Sequence, residues 1–314
     1  MIMHCISNYK ELSMKALVVG ILTGLAALTV NAEMIEVVHE KGITKLEANP
    51  ERVVVIGVGA LDAAVTLGVE PVAISTVSMF PDYLAQYRDY KFVSAGSLSE
   101  PNFETIYTQK PDLIIIGSRA VKQYDELAKI APTIVFAAND KKGYWQSTKE
   151  QWRNLGKVFN KQAFVENKIT QLDNEIKTIR DYNQSHDADA LTVMSSGGNI
   201  TAFGADSRFS AIYQDFGFKP TVQNIQAKKH GDLVSYEFIR EMDPSTLLIV
   251  DKDSLTNKGK STVSRDFENN LVKATKAYRN KQMAYLDINA WYLAISGIQA
   301  TEKMISDVKS SIGK

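Results

Sequence analysis

The sequence has almost no cysteine and no excess of charge of either sign. Its only cysteine, Cys5, precedes an N-terminal apolar segment, so we expect the mature chain to lack disulfides and thiolate metal sites. The histidines are isolated and show no zinc-site spacing; they are His4, His39, His186 and His230. Lys plus Arg and Asp plus Glu both total 36. This balance argues against a nucleic-acid partner, because counterion release needs a basic face.

The N-terminal segment has the pattern of a secretory signal peptide. Met14 and Lys15 begin it, residues 16–30 are mostly apolar, and Val30-Asn31-Ala32 matches a small-x-small cleavage site. A membrane anchor is the alternative, but the apolar run is shorter than the ~20 residues of a spanning helix. We therefore expect residues 1–32 to be cleaved and the protein to be exported, with Met14 rather than Met1 as the favoured start.

Strand and helix patterns alternate along the rest of the chain, which predicts an α/β fold with mainly parallel sheets. The expected strands are two short ones within 34–47, then 53–56, one beginning at 69–74, 133–136, 191–195, 201–203 and 283–286. The expected helices are 61–67, 121–130, 147–159, 209–216 and 291–312, and 253–264 is expected to be a polar loop.

One stretch, from Gln162 to about Asn183, contains no glycine or proline, and its apolar residues recur mostly every three or four positions. About 22 residues at 1.5 Å each give a helix of ~33 Å. We interpret it as a rod that joins two lobes; a peripheral helix on one domain is the alternative. The predicted division is an N-terminal lobe over 33–160, a linking helix over 161–185 and a C-terminal lobe over 186–314.

A repeated phrase supports two related lobes. Residues 102–119 align with 235–252 without a gap, and each copy predicts a short helix, a proline turn, an apolar strand and a final cation. The aligned pairs include Glu104 with Glu237, Ile106 with Ile239, Pro111 with Pro244 and Arg119 with Lys252. Ligands of open α/β sheets bind at the carboxyl ends of strands. The two cations are therefore expected to face a ligand held between the lobes.

Two motifs resemble nucleotide-binding loops. Gly57-Val58-Gly59-Ala60-Leu61-Asp62 follows a strand, but Asp62 replaces the third glycine of a dinucleotide fingerprint, where helix and strand pack closely. Residues 254–261 differ at one position from a phosphate-binding loop, with Ser254 in place of its first glycine. We interpret neither as a nucleotide site. Acid, base and nucleophile are not clustered in the sequence, so we expect a binding protein rather than an enzyme.

From residue 36 to the C-terminus the chain resembles the periplasmic substrate-binding proteins of ABC importers for iron chelates and vitamin B12, in which one long helix joins two lobes. The phrases behind this resemblance are Pro50-Glu51-Arg52-Val53-Val54, Gly68-Val69-Glu70-Pro71-Val72, Asn102-Phe103-Glu104-Thr105-Ile106 and Lys110-Pro111-Asp112-Leu113-Ile114-Ile115. The chain is most similar to the catecholate-siderophore (enterobactin-type) branch, on Gly117-Ser118-Arg119, Asp206-Ser207-Arg208, Lys229-His230-Gly231, Asp251-Lys252 and Asn289-Ala290-Trp291-Tyr292.

The resemblance implies five ligand-binding residues. Arg119, Arg208 and Lys252 would surround an anionic ferric catecholate, with arginine offering planar bidentate donors. His230 and Tyr292 would ligate Fe³⁺ where a chelator with only two catechols leaves coordination positions open, since imidazole and phenolate suit iron. The branch usually has arginine where Lys252 stands. The simpler alternatives are ion-paired or solvated cations, a surface histidine and a tyrosine packed by its ring.

The resemblance also implies partners. Glu104 and Glu237 would dock on arginines of an ABC permease, although the helix dipole alone favours acidic residues in a first turn. We expect a monomeric carrier without a permanent cofactor, which captures ferric catecholate siderophores and delivers them to an inner-membrane ABC importer. The nearest alternative is the same fold binding haem, cobalamin or a hydroxamate siderophore. An exported α/β enzyme, or an NTPase acting through residues 254–261, is a more distant one.

Overall fold

Two β-sheets, one from each side of the long helix in the sequence, form the framework of the protein. The computed structural model describes residues 33–88, 92–139, 142–225, 231–256 and 261–313. The predicted signal peptide, residues 1–32, lies outside these ranges. Before the first sheet, β1 (Met34–His39) pairs antiparallel with β2 (Gly42–Glu47), which confirms the two short strands predicted there.

The first sheet is entirely parallel. Its strands are β3 (Val53–Ile56), β4 (Ala73–Ile74), β5 (Val93–Ser94), β6 (Leu113–Gly117) and β7 (Thr133–Phe136), in the order β5–β4–β3–β6–β7. Alternate residues of β3 belong to two hydrophobic clusters on opposite faces, as is typical of a parallel sheet covered on both sides. The accompanying helices are α1 (Val58–Thr66), α2 (Phe103–Thr108), α3 (Tyr124–Leu127) and α4 (Tyr144–Val158), with 3₁₀ helices at Asp82–Arg88 and Ser118–Gln123.

The second sheet is mixed. Its strands are β8 (Asp189–Ser196), β9 (Asn199–Phe203), β10 (Lys219–Pro220), β11 (Asp232–Val234), β12 (Thr246–Asp251) and β13 (Met283–Leu286). The order is β11–β9–β8–β12–β13, with β10 beside β8; β9 pairs antiparallel with both β8 and β11, and the other pairs are parallel. Its helices are α6 (Ala211–Gln214), α7 (Tyr236–Met242), α8 (Asp253–Thr256), α9 (Val263–Asp266), α10 (Asn270–Lys273) and α11 (Lys276–Arg279).

The predicted long helix is α5 (Gln162–Ser185), which has 24 residues and lies between the two sheets in the sequence. Its apolar stripe is buried at Val165, Ile169, Leu172, Ile176 and Ile179. Within the described ranges, no helix is both long enough and apolar enough to cross a membrane. The α/β class with a single long connecting helix is thus confirmed. The lobe boundaries stay a prediction, because one hydrophobic cluster contains residues from both sides of α5.

The repeated phrase folds into the same unit twice. Asn102 caps α2 by accepting from the Thr105 N–H, and Ser235 caps α7 in the same way. Each helix is followed by a residue in the left-handed region, Lys110 (φ 47°) and Asp243 (φ 45°), at aligned positions before the proline. The strands β6 and β12 then follow. The alignment therefore predicts helix, turn and strand correctly in both copies.

Several predicted elements differ in extent. The single closing helix predicted over 291–312 is wrong, because a π-helix (Asn289–Leu293) and α12 (Ile298–Ser311) replace it. Ser296, which lies between the two helices, has a left-handed backbone conformation (φ +66°) that interrupts the helical path. The helix predicted over 121–130 is a 3₁₀ turn followed by the four-residue α3. The predicted polar loop over 253–264 contains α8 and the start of α9, and its residues 257–260 lie outside the described part of the chain.

Candidate ligand-binding site

Arg119 and Lys252 each lie just beyond the carboxyl end of a parallel strand, as the repeat predicts. Arg119 is in the 3₁₀ helix that begins directly after β6. Lys252 follows β12, and its backbone N–H donates to the Ser195 carbonyl at 3.0 Å, which ties this turn to the neighbouring strand β8. The two strands belong to different sheets. The cations therefore come from opposite halves of the chain.

The Tyr292 ring brings the predicted cations together. The guanidinium carbon of Arg208 lies 4.0 Å from the centre of this ring and that of Arg119 lies 5.6 Å away. The Lys252 Nζ is 5.8 Å from the same centre. Cations are attracted to an aromatic face within about 6 Å. The structure thus places four of the five predicted ligand-binding residues in one cluster, while His230 lies outside the described residues.

The cluster carries uncompensated positive charge. Among the described residues, Arg119, Arg208 and Lys252 take part in no ion pair. Burial of its guanidinium lowers the pKa of Arg208; the nearby Arg119 charge lowers it further, and Tyr292 opposes this. The Arg208 residue as a whole is exposed to solvent. Its guanidinium, however, lies against the Tyr292 and Phe209 rings, so this group is less hydrated than the rest of the side chain. An anion bound here would relieve the mutual repulsion.

The π-helix that carries Tyr292 is fixed by two carboxylates. Asp287 Oδ1 accepts from the backbone N–H groups of Asn289 and Ala290, at 2.9 and 3.0 Å. The buried Trp291 indole donates to Asp307 Oδ2 at 3.0 Å. With Trp291 anchored inward, its neighbour Tyr292 is half-buried at the site. Single-turn π-helices are frequent at functional sites.

The sequence interpretation missed this anchoring. Asp287 is a helix-capping residue type placed two residues before Asn289, which is the one signal that could have located the start of the segment.

Glu104 and Glu237 are both exposed and lie in the first turns of α2 and α7, as predicted. The Glu237 backbone N–H and the Ser235 hydroxyl lower the pKa of the Glu237 carboxyl. These positions leave both carboxylates open to a partner.

The glycine motif after β3 serves packing. Gly57 has φ +152°, and a β-carbon on it would come 3.1 Å from the Gly117 backbone at the end of the adjacent strand. Gly59 and Asp62 contact the C-terminal segment of the chain. In a dinucleotide fingerprint, the third glycine instead allows the helix to pack closely on the strand. These contacts explain the motif without a nucleotide.

Comparison with known proteins decides the family of this fold. The family described as periplasmic binding protein matches residues 53–290. The chain belongs to this family. The prediction of a substrate-binding protein rather than an enzyme is therefore confirmed, as is the predicted fold class.

Three relatives illustrate what this periplasmic binding protein resembles. VctP of Vibrio cholerae, a periplasmic catecholate-siderophore binding protein, is 60% identical, covers 88% of this chain and 100% of its own, and has a TM-score of 0.86. The petrobactin-binding protein YclQ of Bacillus subtilis is 35% identical over 90% of this chain and 89% of its own. BauB, solved with two acinetobactin molecules and ferric iron, is 32% identical over 89% and 98%, with a TM-score of 0.81.

Proposed function

We propose that this periplasmic binding protein captures ferric catecholate siderophores and delivers them to an inner-membrane ABC importer. The observation that carries the proposal is the convergence of Arg119, Arg208 and Lys252 on the Tyr292 ring. Each catecholate contributes two negative oxygens, so its ferric complex is an anion. Arginine donates two parallel hydrogen bonds to such oxygens. A neutral hydroxamate complex or cobalamin would gain less from three cations that form no ion pair within the described part of the chain.

The relatives support the same ligand class. VctP is described as binding catecholate siderophores, and it shares 60% of its residues with this chain. YclQ and BauB are described with petrobactin and with ferric acinetobactin. Siderophores are thus the common ligand of these relatives, and the cation cluster favours the catecholate type.

We propose Tyr292 and His230 as iron ligands when the siderophore leaves coordination positions open. Tyr292 is supported by its place at the centre of the cation cluster, where its phenol is next to the groups that would hold the chelate. A phenolate and an imidazole are suitable donors for ferric iron. The role of His230 rests on the family resemblance alone.

The export and docking predictions complete the proposal. Residues 1–32 are proposed to direct the chain to the periplasm, and N-terminal sequencing of the exported protein should begin at Glu33. Glu104 and Glu237 are proposed to dock on the permease. Glu104→Gln and Glu237→Gln should therefore leave siderophore affinity unchanged while lowering import in a transport assay; unchanged import by the double variant would refute docking.

The decisive experiment titrates the mature protein with a ferric bis-catecholate and follows Trp fluorescence and the visible charge-transfer band. Wild type should bind at micromolar ligand or below, and its band should shift on binding. Tyr292→Phe should remove the shift, whereas Tyr107→Phe, on the exposed face of α2, should retain it. Absence of quenching at micromolar ligand would exclude a catecholate and lead to the same titration with haem and cobalamin.

A further inference from the structure

We infer that Asp62 is a positioning residue that fastens the Tyr292 segment to the N-terminal half of the chain. Through it, Tyr292 keeps its place next to Arg119 of the first half. The effect on ligand binding rests on the proposed function. The mechanical link itself does not, because it follows from contacts within the protein.

Asp62 caps a helix that begins more than two hundred residues later. It is fully buried on α1, and its Oδ1 and Oδ2 accept from the backbone N–H groups of Gln299 (3.0 Å) and Ala300 (2.8 Å). The first N–H groups of a helix have no partner inside it, and a side-chain oxygen from the residue just before normally serves them. That residue is Gly297, which has no side chain, and a β-carbon there would overlap the Asp62 carboxylate. The first half of the chain thus supplies the cap.

Three further contacts hold the stretch between Tyr292 and α12. A β-carbon on Gly59 of α1 would overlap the Ile295 carbonyl, so the two backbones lie in direct contact. Ser296 exchanges a hydroxyl hydrogen bond with Thr148 at 2.9 Å, and its carbonyl accepts from the Trp152 indole at 2.6 Å. Both partners are on α4. Two helices that precede α5 therefore grip a segment that follows β13.

The charge state of Asp62 fits this role. Burial raises its pKa to about 6, and the hydrogen bonds from Ala300 and Gln299 oppose that rise. A buried carboxylate is costly unless donors compensate it. The α12 N-terminus supplies two such donors together with the positive end of its dipole. Removing the carboxylate leaves these two N–H groups without their acceptor.

The link is tested with Asp62→Asn and Gly59→Ala, which loosen the same contact by different means. Asparagine replaces one acceptor oxygen with a donor that faces an N–H group, and the alanine methyl pushes the Ile295 carbonyl away. Native-state hydrogen exchange of residues 289–297 should accelerate about tenfold or more in both variants. Affinity for the ferric bis-catecholate should fall about tenfold, with a weaker Tyr292-dependent band shift.

Asn269→Ala is the matched control. Asn269 Oδ1 accepts from the N–H groups of Leu271 and Val272, so it also caps a helix twice, but entirely within the second half. This variant should lower the melting temperature and leave both exchange at 289–297 and ligand affinity as in wild type. An equal acceleration in the control, or none in Asp62→Asn and Gly59→Ala, would overturn the inference.

A wild-type measurement guards against variants that do not fold. The Gln299 and Ala300 amides should exchange as slowly as the core of α1, because the hydrogen bonds make them one cooperative unit. Exchange at the rate of a frayed helix end would also overturn the inference. If wild type binds no catecholate, the proposed ligand is wrong, and the exchange results still decide the role of Asp62.

Discussion

The two halves of the chain build the same helix–strand unit but complete it differently. In the first half, Arg119 follows α2 and β6 and is exposed. In the second half, α7 and β12 end in Lys252, which is half-buried and tied by its backbone to Ser195. The second half adds Arg208, so it supplies two of the three cations. The repeat thus places a cation at the same position in both halves, but the type of cation and its burial differ.

The halves differ again in the residues before Gly68 and Gly217, two glycines that follow helices and have positive φ. Six residues before Gly68 is Asp62, and six before Gly217 is Ala211. Only the first of these positions carries a carboxylate, and it caps α12. Asp62 thus connects the first half to the segment that carries Tyr292. The corresponding residue of the second half, Ala211, has no carboxylate that could do the same.

The largest expected effect is on the pH dependence of stability. Burial raises the pKa of Asp62 from its ordinary value of 3.8 to about 6, so the folded state binds this proton more tightly than the unfolded state. The resulting stabilisation is complete below about pH 4 and is lost as the pH rises through about 6. Through deprotonation of Asp62, raising the pH from 4 to 7 should therefore lower the free energy of unfolding by up to about 3 kcal/mol.

Urea denaturation of wild type and Asp62→Asn from pH 4 to 7.5 measures this contribution. The difference in unfolding free energy between the two proteins should shrink as the pH rises, because asparagine does not titrate. Asn269→Ala should keep the wild-type pH dependence. Parallel curves for wild type and Asp62→Asn would show that the carboxylate titrates alike in both states.

The next largest expected effect is on ligand affinity, and it compares Arg208 of the second half with Arg119 of the first. Arg208→Gln should weaken ferric bis-catecholate binding about 100-fold, because a charge-assisted hydrogen bond contributes about 1.5–3 kcal/mol and its guanidinium is the one nearest the Tyr292 ring. Arg119→Gln should cost about tenfold, because its guanidinium lies farther from the Tyr292 ring, at 5.6 Å from the ring centre, and solvent screens its charge better. Arg240→Gln, on the exposed side of α7, is the control and should bind as wild type. A larger loss for Arg119→Gln than for Arg208→Gln would reverse the comparison.

The sequence allowed the fold and the convergence of four candidate residues to be predicted, because both depend largely on local patterns. Apolar runs fixed the strands, and the gapless repeat placed Arg119 and Lys252 at equivalent strand ends. Family phrases added Arg208 and Tyr292, which the structure brings into contact with them. The position of His230 stays a prediction.

The parts that could not be predicted depend on contacts distant in sequence. The closing segment is predicted as one continuous helix, although Ser296-Gly297 is a dipeptide typical of turns. The cap from Asp62 has no local signal. In the sequence, Asp62 is notable only because it occupies the position of the third glycine in a dinucleotide-binding fingerprint. Its partner amides lie 237 and 238 residues away, so neither spacing nor periodicity reports them.

The smallest effect tests whether the two repeat cations are interchangeable. Lys252→Arg should tighten ferric bis-catecholate binding a few-fold, since a planar guanidinium can donate two parallel hydrogen bonds where an ammonium acts as a point charge. Arg119→Lys should weaken binding by a similar factor, and the double exchange should return close to wild type if the positions are equivalent. The titration should be repeated at low and high salt, because an exposed cation loses more of its effect to screening. Tighter binding in Arg119→Lys, or no response to Lys252→Arg, would mean that the two strand ends meet different parts of the ligand, and that the duplication survives in the backbone but not in the chemistry of the site.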